Sequence, residues 1–270
     1  LEEKALSVGT LTDGGYLVPS EIETEIGKRM AMLSPIRAIS SFRQISAGVL
    51  KKPFATTGFA SGWSAETAAR PQTNTPTLAE LQFPALELYA MPAATVSLLD
   101  DSAVDMDQWI AQEVEAVFAE QEGTAFVTGD GVNKPRGFLN YTAVAETSWS
   151  WGNLGYIATG VAGGLPATNP SDVFIDTIYA LKAGYRQNGA WVTNRKTQGV
   201  VRKLKDAQGN YLWQPPASAC AQAQLMGFPL VAAEDMPDIA ANATPVAFGN
   251  FQRGYLVVDR LGVRVLRDPY

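Results

Sequence analysis

The sequence predicts an α+β fold, in which an extended segment and a long helix precede a part with both short helices and short strands. Residues 45–99 show extended patterns and no helical one. A helical stripe about 20 residues long follows them, and residues 171–266 then alternate short helices with short strands. The chain of 270 residues is long enough for one large domain or two modest ones.

The composition argues against catalysis. The sequence contains no histidine, which removes the commonest general base, the commonest metal ligand and every Ser-His or Cys-His arrangement. We therefore predict no enzymatic activity and no cofactor or metal.

The net charge of −6 disfavours tight nucleic-acid binding, which needs clustered lysine and arginine. No apolar run approaches the roughly 18 residues of a membrane span, so no membrane partner is expected. The single cysteine, Cys220, suits a reducing cytoplasm.

The N-terminal segment predicts an arm followed by a helix. Residues 1–16 have little periodicity and are interpreted as an extended arm. Ser20 can cap a helix after them, with Glu23 completing a capping box, and Pro35 is expected to end it. The chain starts at Leu1 rather than methionine, which we interpret as proteolytic processing or as the sign of a preceding leader.

A long β-hairpin is predicted next. The extended arms Ile45–Phe59 and Leu78–Leu99 flank the polar segment Ser61–Thr77. In the second arm the apolar alternation changes phase at Pro84–Ala85, which predicts a bulge or bend.

The segment that forms the hairpin contains nothing that could cover its apolar side chains. A two-stranded ribbon cannot bury its own faces and is marginal alone in water. The segment contains no helix that could cover its aromatic side chains, which are Phe54, Phe59, Trp63, Phe83 and Tyr89. We therefore expect the hairpin to find its partner surface on another subunit. The alternative is that it folds back onto its own domain.

Asp105 or Asp107 can start the long helix. Its apolar stripe consists of Ile110, Val114, Val117, Phe118, Gln121 and Ala125. Its other face carries the carboxylates Glu113, Glu115, Glu120 and Glu122. Clustered carboxylates can bind a metal or perform acid–base chemistry, but no histidine or carboxylate-rich loop supplies the remaining ligands. We therefore predict a solvated acidic face.

One catalytic alternative is a carboxylate-dependent hydrolase using Asp100, Asp101 and Asp105. Polar residues before a helix usually cap it and favour its dipole, so this alternative is disfavoured and no catalytic residue is assigned. The glycine-rich segment Gly129–Phe138 lacks the spacing of a phosphate-binding loop and predicts a turn leading into a strand. Residues 141–170 predict a loop-rich connector.

The C-terminal segment predicts one α/β unit. Ser171 is expected to cap a helix whose apolar side carries Phe174, Ile178, Leu181 and Tyr185. Asn188–Gly189 predicts a turn before a strand at 190–192. A short helix through Val200, Val201 and Leu204 should follow. Further strands are expected at 211–213, 229–232, 245–248 and 255–258, the last continuing into 263–266.

A series of short strings runs in order over nearly the whole chain. They are Gly14–Pro19, Trp63–Glu66 with Pro71, Gly129–Phe138, Tyr185–Asn188, Trp191–Thr197, Arg202–Asp206, Tyr211–Pro215, Leu225–Leu230, Asp235–Pro237, Ala247–Gly249 and Gly254–Asp259. Each is weak alone. Together they resemble the major capsid proteins of tailed bacteriophages with the Hong Kong 97-type fold, of which a gene transfer agent capsid is a variant.

The resemblance implies a Hong Kong 97-like capsid fold in five parts. These are an N-terminal arm and first helix (1–43), an extended β-hairpin loop (44–92), a peripheral domain with a long spine helix (93–170), an axial α/β domain (171–266) and the start of a return to the peripheral domain (267–270). Relatives usually continue beyond this point with further strands.

The resemblance also implies a structural function. Subunits would self-assemble into pentamers and hexamers that form the DNA-containing head of a tailed phage or gene transfer agent, without sequence-specific DNA binding. Portal and head-completion proteins would be partners, and the location would be the virion capsid, assembled in the bacterial host cytoplasm. An encapsulin-like compartment shell is the alternative within the fold, disfavoured by the strings around Trp191 and Asp235.

Candidate site residues are therefore intersubunit contacts. Trp63 is the expected apolar anchor, Glu66 and Arg70 are ion-pair candidates, and Phe59 and Phe83 are further contact candidates. Some relatives crosslink a loop lysine to a neighbour's asparagine. Here Lys51 and Lys52 lie at the base of the loop and not at its tip, so crosslinking is not expected.

Overall fold

The computed structural model describes residues 34–55, 63, 77–92, 106–205, 208–213 and 223–260. The predicted N-terminal arm and first helix, the strand at 263–266, most of the loop tip and Cys220 lie outside this part of the chain. Two compact units are present. The smaller unit comprises the described residues within 43–85 and 258–261. The larger unit comprises the described residues within 1–42 and 86–257.

The helices are α1 (Pro35–Ile39), α2 (Met106–Thr128), α3 (Asp172–Ala180), α4 (Ala183–Arg186), α5 (Arg195–Arg202) and α6 (Phe251–Gly254), with 3-10 turns at Phe138–Asn140 and Glu146–Ser148. The strands are β1 (Ser41–Gln44), β2 (Val49–Ala55), β3 (Leu78–Pro84), β4 (Ala143–Ala145), β5 (Leu154–Tyr156), β6 (Ala190–Thr193), β7 (Gln224–Leu225), β8 (Phe228–Ala232), β9 (Val246–Gly249) and β10 (Leu256–Asp259). Strand β1 pairs with β10, and β4 pairs with β5 in parallel.

The smaller unit contains the predicted hairpin. Strands β2 and β3 pair antiparallel from Val49 opposite Pro84 to Ala55 opposite Leu78. The predicted break at Pro84–Ala85 is confirmed, because β3 ends at Pro84. Ala85 still donates its N–H to the Gly48 carbonyl at 2.9 Å. Residues 85–92 then have no regular structure, so the second arm is shorter than predicted. Proline supplies no N–H to a ladder, which favours a strand end there.

In the larger unit, helix α2 has the length of about 35 Å expected for its 23 residues. The predicted apolar stripe is only partly confirmed. Ala125 is buried, Ile110, Val114 and Phe118 are half-buried, and Val117 and Gln121 are exposed. Burial is concentrated near the C-terminal end of the helix, at Ala119, Glu122, Gly123 and Ala125–Val127.

Two of the four predicted surface carboxylates are buried. Glu113 and Glu120 are exposed as expected, but Glu115 and Glu122 are only 4 % and 8 % exposed. The prediction of a solvated face was wrong for these two. For Glu122 the reason is Arg37 of helix α1, whose Nε lies 2.5 Å from the Glu122 carboxylate and compensates its charge. Pro35, expected to end the preceding helix, is the first residue of α1, a position that its fixed φ favours.

The core of the larger unit has two clusters on either side of strand β6. The four-stranded sheet has the order β7-β8-β6-β9, with β6 parallel to β8 and antiparallel to β9. Val192 belongs to a cluster with Ile36, Phe126, Val127, Phe138, Ala233, Met236, Phe251 and Val257. Trp191 belongs to the other, with Phe174, Ile178, Val201, Leu225 and Leu230. Successive residues of a strand face opposite sides, so β6 supplies both clusters.

Most C-terminal predictions are confirmed, with four corrections. The helix through Val200 and Val201 ends at Arg202, so Leu204 lies beyond it. Ser171 has helical backbone angles and makes no capping hydrogen bond, so it does not cap α3. Leu181 is extended and ends α3, which leaves Tyr185 on the separate helix α4. The expected strand at 211–213 is reduced to a bridge between Lys205 and Tyr211. In addition, the turn at 129–137 leads into a 3-10 helix rather than a strand.

Asn194 joins three segments at the end of β6. Its Oδ1 accepts from the Thr197 N–H at 2.8 Å and caps α5. Its Nδ2 donates to the Met236 carbonyl at 2.9 Å and to Asp238 Oδ1 at 2.8 Å. Lys196 Nζ lies 2.6 Å from the other Asp238 oxygen, and this hydrogen bond is the main reason that the pKa of Asp238 is lowered.

We expect Asp238→Asn to reduce the acid sensitivity of folding. A carboxyl with a lowered pKa adds stability above its unfolded value of 3.8, and this contribution is lost as the pH falls through the folded pKa. Chemical denaturation between about pH 6 and pH 3 should therefore show a shallower loss of stability in Asp238→Asn than in the wild type. Equal pH slopes for the two proteins would contradict this assignment.

Gly137 is required by close packing. A Cβ at this position would lie 2.4 Å from the Val127 backbone carbonyl carbon in helix α2. We expect Gly137→Ala to destabilise the protein by about 1–3 kcal/mol, measured by chemical denaturation. Gly199→Ala is the matched control, because a Cβ there meets nothing within 4 Å and lies inside α5. The control should be neutral or stabilising by up to about 1 kcal/mol.

Candidate functional site

The two sides of the hairpin differ in burial. Its apolar side, the hairpin face, consists of Leu50, Phe54, Ala79, Leu81 and Phe83. Register places Leu50 opposite Phe83 and Phe54 opposite Ala79, while Lys52 stands opposite Leu81. These side chains are half-buried, apart from Leu81 and Lys52, which are exposed. The strands therefore carry an apolar strip that is interrupted only by the side chain of Lys52.

The opposite side of the hairpin is fully exposed, and it places Lys51, Glu80 and Gln82 among apolar residues that include Val49 and Leu78. Lys51 Nζ lies 3.4 Å from Glu80 Oε1, and Gln82 Nε2 donates to the same oxygen at 2.8 Å. An exposed ion pair of this kind contributes about 0–1 kcal/mol.

The hairpin face takes no part in the core of the subunit. Neither hydrophobic cluster within the described ranges includes a residue of β2 or β3. Of the apolar side chains of the hairpin face, Leu50, Phe54, Ala79 and Phe83 are half-buried and Leu81 is exposed. An apolar strip on a marginal two-stranded ribbon is a surface suited to protein contact.

The candidate contact residues have different outcomes. Phe83 lies on the hairpin face, next to Leu50. Trp63 is fully exposed, as an anchor for a neighbouring molecule would be in an isolated subunit. Phe59, Glu66 and Arg70 lie outside the described residues, as do Asp100, Asp101 and Asp105. Their roles stay predictions.

Within the described part of the chain, the side chains do not form a metal site. No group of three or more His, Cys, Asp or Glu residues is placed to hold a metal ion there. No described helix is long and apolar enough to cross a membrane. The altered pKa values are explained by folding. Burial raises the pKa of Tyr255, whose hydroxyl donates to the Arg136 carbonyl at 2.8 Å, and a backbone hydrogen bond from Val132 lowers that of Asp130.

A second exposed surface was missed by the sequence analysis. Arg186 lies over the Tyr179 ring with its guanidinium carbon 4.8 Å from the centroid, and Arg253 lies over Tyr185 at 5.2 Å. The spacing of Tyr179, Lys182, Tyr185 and Arg186 could have indicated a mixed aromatic and basic surface. The contribution of Arg253 could not have been found from local spacing.

Comparison with known proteins identifies the family. The family model described as the phage capsid family matches residues 14–270. The chain belongs to the phage capsid family. A comparison with curated protein sequences finds no match. The resemblance to tailed-phage capsid proteins is confirmed.

Solved structures of capsid proteins are similar to this chain. The capsid of an empty GTA particle, computed with C5 symmetry, is 45 % identical with a TM-score of 0.82, covering 98 % of this chain and 88 % of that one. The capsid of a native GTA particle is 44 % identical, also with a TM-score of 0.82, covering 98 % and 90 %. A structure of Mycobacterium phage Cain shares the fold at 15 % identity and a TM-score of 0.55, covering 90 % and 76 %.

The fold is therefore the mixed helix and sheet fold of Hong Kong 97-like phage capsid proteins. The protein is a structural major capsid protein, located in a capsid particle, and the encapsulin-like alternative is not favoured. The family is one of structural capsid proteins.

Substitutions on the hairpin face should spare the fold of the subunit. We expect Leu81→Ser and Phe83→Ser to change the free energy of unfolding of the isolated subunit by about 1 kcal/mol or less, because neither residue is in a core cluster. Phe126→Ala, in the core, should cost about 3–5 kcal/mol. Gln82→Ser, on the side opposite the hairpin face, is the control for the hairpin itself. Equal losses for Phe83→Ser and Phe126→Ala, measured by urea denaturation, would refute this assignment.

Proposed function

We propose that this chain is the major capsid protein of a gene transfer agent or tailed-phage head, and that it forms the pentamers and hexamers of a closed shell around double-stranded DNA. The observation that carries the proposal is 45 % identity to a GTA capsid over 98 % of the chain. The C5 symmetry applied to that particle is the symmetry of a pentamer.

The proposal keeps the five-part division of the chain. Residues 1–43 form an arm and first helix, 44–92 an extended loop, 93–170 a peripheral domain, 171–266 an axial domain, and 267–270 begin a return to the peripheral domain. The long helix α2 then corresponds to the spine of the peripheral domain, and the four-stranded sheet to the axial domain.

In the assembled shell, the extended loop lies across a neighbouring subunit. The apolar strip on the hairpin face supports this role, because Leu81 is exposed and Leu50 and Phe83 are only half-buried. Trp63 acts as the apolar anchor near the loop tip, with Phe59 beside it in sequence. Glu66 and Arg70 form ion pairs across the contact, each weak but repeated around the shell.

The other partners follow from the same role. Portal and head-completion proteins join the shell, which is assembled in the bacterial host cytoplasm. DNA is enclosed without sequence-specific binding. The net charge of −6 supports weak adhesion to the genome, since a mildly anionic wall leaves the DNA its own counterions. The subunit uses no cofactor and catalyses no reaction.

Deletion of residues 61–77 tests the bridging loop. Negative-stain microscopy of the expressed wild-type protein should show shells or capsomers, whereas the deletion should leave a folded, soluble subunit that does not close into shells. The control replaces the same segment by a glycine-serine linker of equal length, which preserves the reach of the loop but removes Trp63, Glu66 and Arg70. Normal particles from both variants would contradict the bridging role, and a wild-type protein that never forms capsomers would contradict the proposed function.

A further inference from the structure

One exposed surface of the larger unit combines three cations with two tyrosines. We call Tyr179, Lys182, Tyr185, Arg186 and Arg253 the cationic face. Arg186 covers Tyr179 and Arg253 covers Tyr185, and Arg253 Nη1 also reaches the Gly184 carbonyl at 3.5 Å. The Tyr185 N–H donates to the Lys182 carbonyl, so Lys182 is held next to the pair. Tyr179 is 70 % exposed.

The positive charges of this face are not neutralised within the described residues. Five other cations there have carboxylate partners, for example Arg37 with Glu122, Arg195 with Glu234 and Lys196 with Asp238. Others, such as Lys203 and Lys205, also have no ion pair there, so the clustering of three such cations with two tyrosines is what distinguishes this face. Lys182, Arg186 and Arg253 have no ion pair in that part of the chain, and Arg186 Nε is buried without an acceptor. Asp176, one helical turn before Tyr179, is not within ion-pair distance of them.

A second surface has the complementary composition. Glu146, Trp149, Trp151 and Tyr156 form what we call the aromatic loop. Trp149 is 52 % and Trp151 is 60 % exposed, and Tyr156 is also exposed. No lysine or arginine occurs between Arg136 and Lys182, so the whole segment lacks a positive charge.

The aromatic loop is held in place by its own hydrogen bonds. Trp149 Nε1 donates to the Asn153 carbonyl at 2.9 Å, and Asn153 Nδ2 donates to Ser150 Oγ at 2.8 Å. The Trp149 N–H donates to the Glu146 carbonyl, and Tyr156 pairs with Ala145 across the parallel strands. The exposed rings and the carboxylate of Glu146 are therefore presented together on a preorganised loop.

We propose that the cationic face of one copy docks on the aromatic loop of the next copy in the capsomer ring. This inference rests on the proposed function. A ring of five or six copies requires a heterologous contact, in which two different surfaces of the same chain meet. The cationic face and the aromatic loop are two such surfaces, and they match in charge and in chemistry.

The proposed contact uses the side of the Arg253 guanidinium that does not face the Tyr185 ring. A planar guanidinium can stack on an aromatic ring through each of its two faces. In Arg253 one face lies on Tyr185, which leaves the other for Trp149 or Trp151 of the neighbour. The compact ammonium of Lys182 fits the Glu146 carboxylate. Double-stranded DNA is the competing partner for a basic and aromatic surface, but the same chain offers exposed rings beside the Glu146 carboxylate and carries a net charge of −6.

The test reverses the charge of each surface separately and then together. Lys182→Glu/Arg253→Glu should lower the yield of closed particles by ~10-fold or more, while circular dichroism and thermal unfolding of the subunit stay unchanged. Glu146→Lys/Thr147→Lys on the loop should have the same effect. The chain with all four substitutions should recover particles, because its reversed surfaces again match. Lys203→Glu/Lys205→Glu, which makes the same charge change elsewhere, should assemble normally.

The possible outcomes are distinct. Normal particles from either reversed variant, or no recovery by the four-site variant, would overturn the inference and leave the proposed function standing. Assembly failure of Lys203→Glu/Lys205→Glu would also overturn it, since the effect would then be one of net charge. If Lys182→Glu/Arg253→Glu assembles normally and only loses binding of double-stranded DNA in a filter assay, the face serves nucleic acid instead. Failure of the wild type to assemble would overturn the proposed function itself.

Discussion

The larger unit depends on the buried strand Ala190–Thr193. All four of its residues are buried, and its two central side chains point into different hydrophobic clusters. Its backbone is hydrogen-bonded on both edges, to β8 and to β9. Trp191 Nε1 donates to the Leu225 carbonyl at 3.0 Å, which leaves no orphaned donor around the largest buried ring. A shift of this strand would disturb both clusters at once, so its position constrains the helices on either side.

This constraint extends beyond the strand through Asn194. Its side chain is 3 % exposed and uses its oxygen and both amide hydrogens, which joins the start of α5 to the 236–238 segment. Buried polar networks that are fully satisfied make one arrangement much better than its competitors. A capsid subunit needs such definition, because small errors in its shape would accumulate around a closed shell.

Local features of the subunit were predictable from the sequence, and long-range ones were not. The turn at Asn188–Gly189 and the strand after it were predicted from neighbouring residues. The burial of Glu122 depends on Arg37, 85 positions away in sequence, and no helical pattern contains that information. The glycine requirement at position 137 likewise comes from the backbone of Val127. For the candidate site, the uncovered hairpin was predicted from missing helices, whereas the cationic face depends on Arg253 meeting a tyrosine from another segment.

The strands of the hairpin carry residues that disfavour pairing along a strand edge. A two-stranded ribbon has two free edges, and unpaired edges are the usual route to uncontrolled strand pairing. Here Lys51, Lys52 and Pro53 lie in one strand and Pro84 ends the other, which are features that blunt an edge. The apolar strip on the hairpin face remains open, but contact with a face requires a matching surface, whereas an edge accepts almost any strand. The sequence thus disfavours pairing along the edges and favours burial of the face, which is the selectivity that the proposed contact with a neighbouring subunit requires.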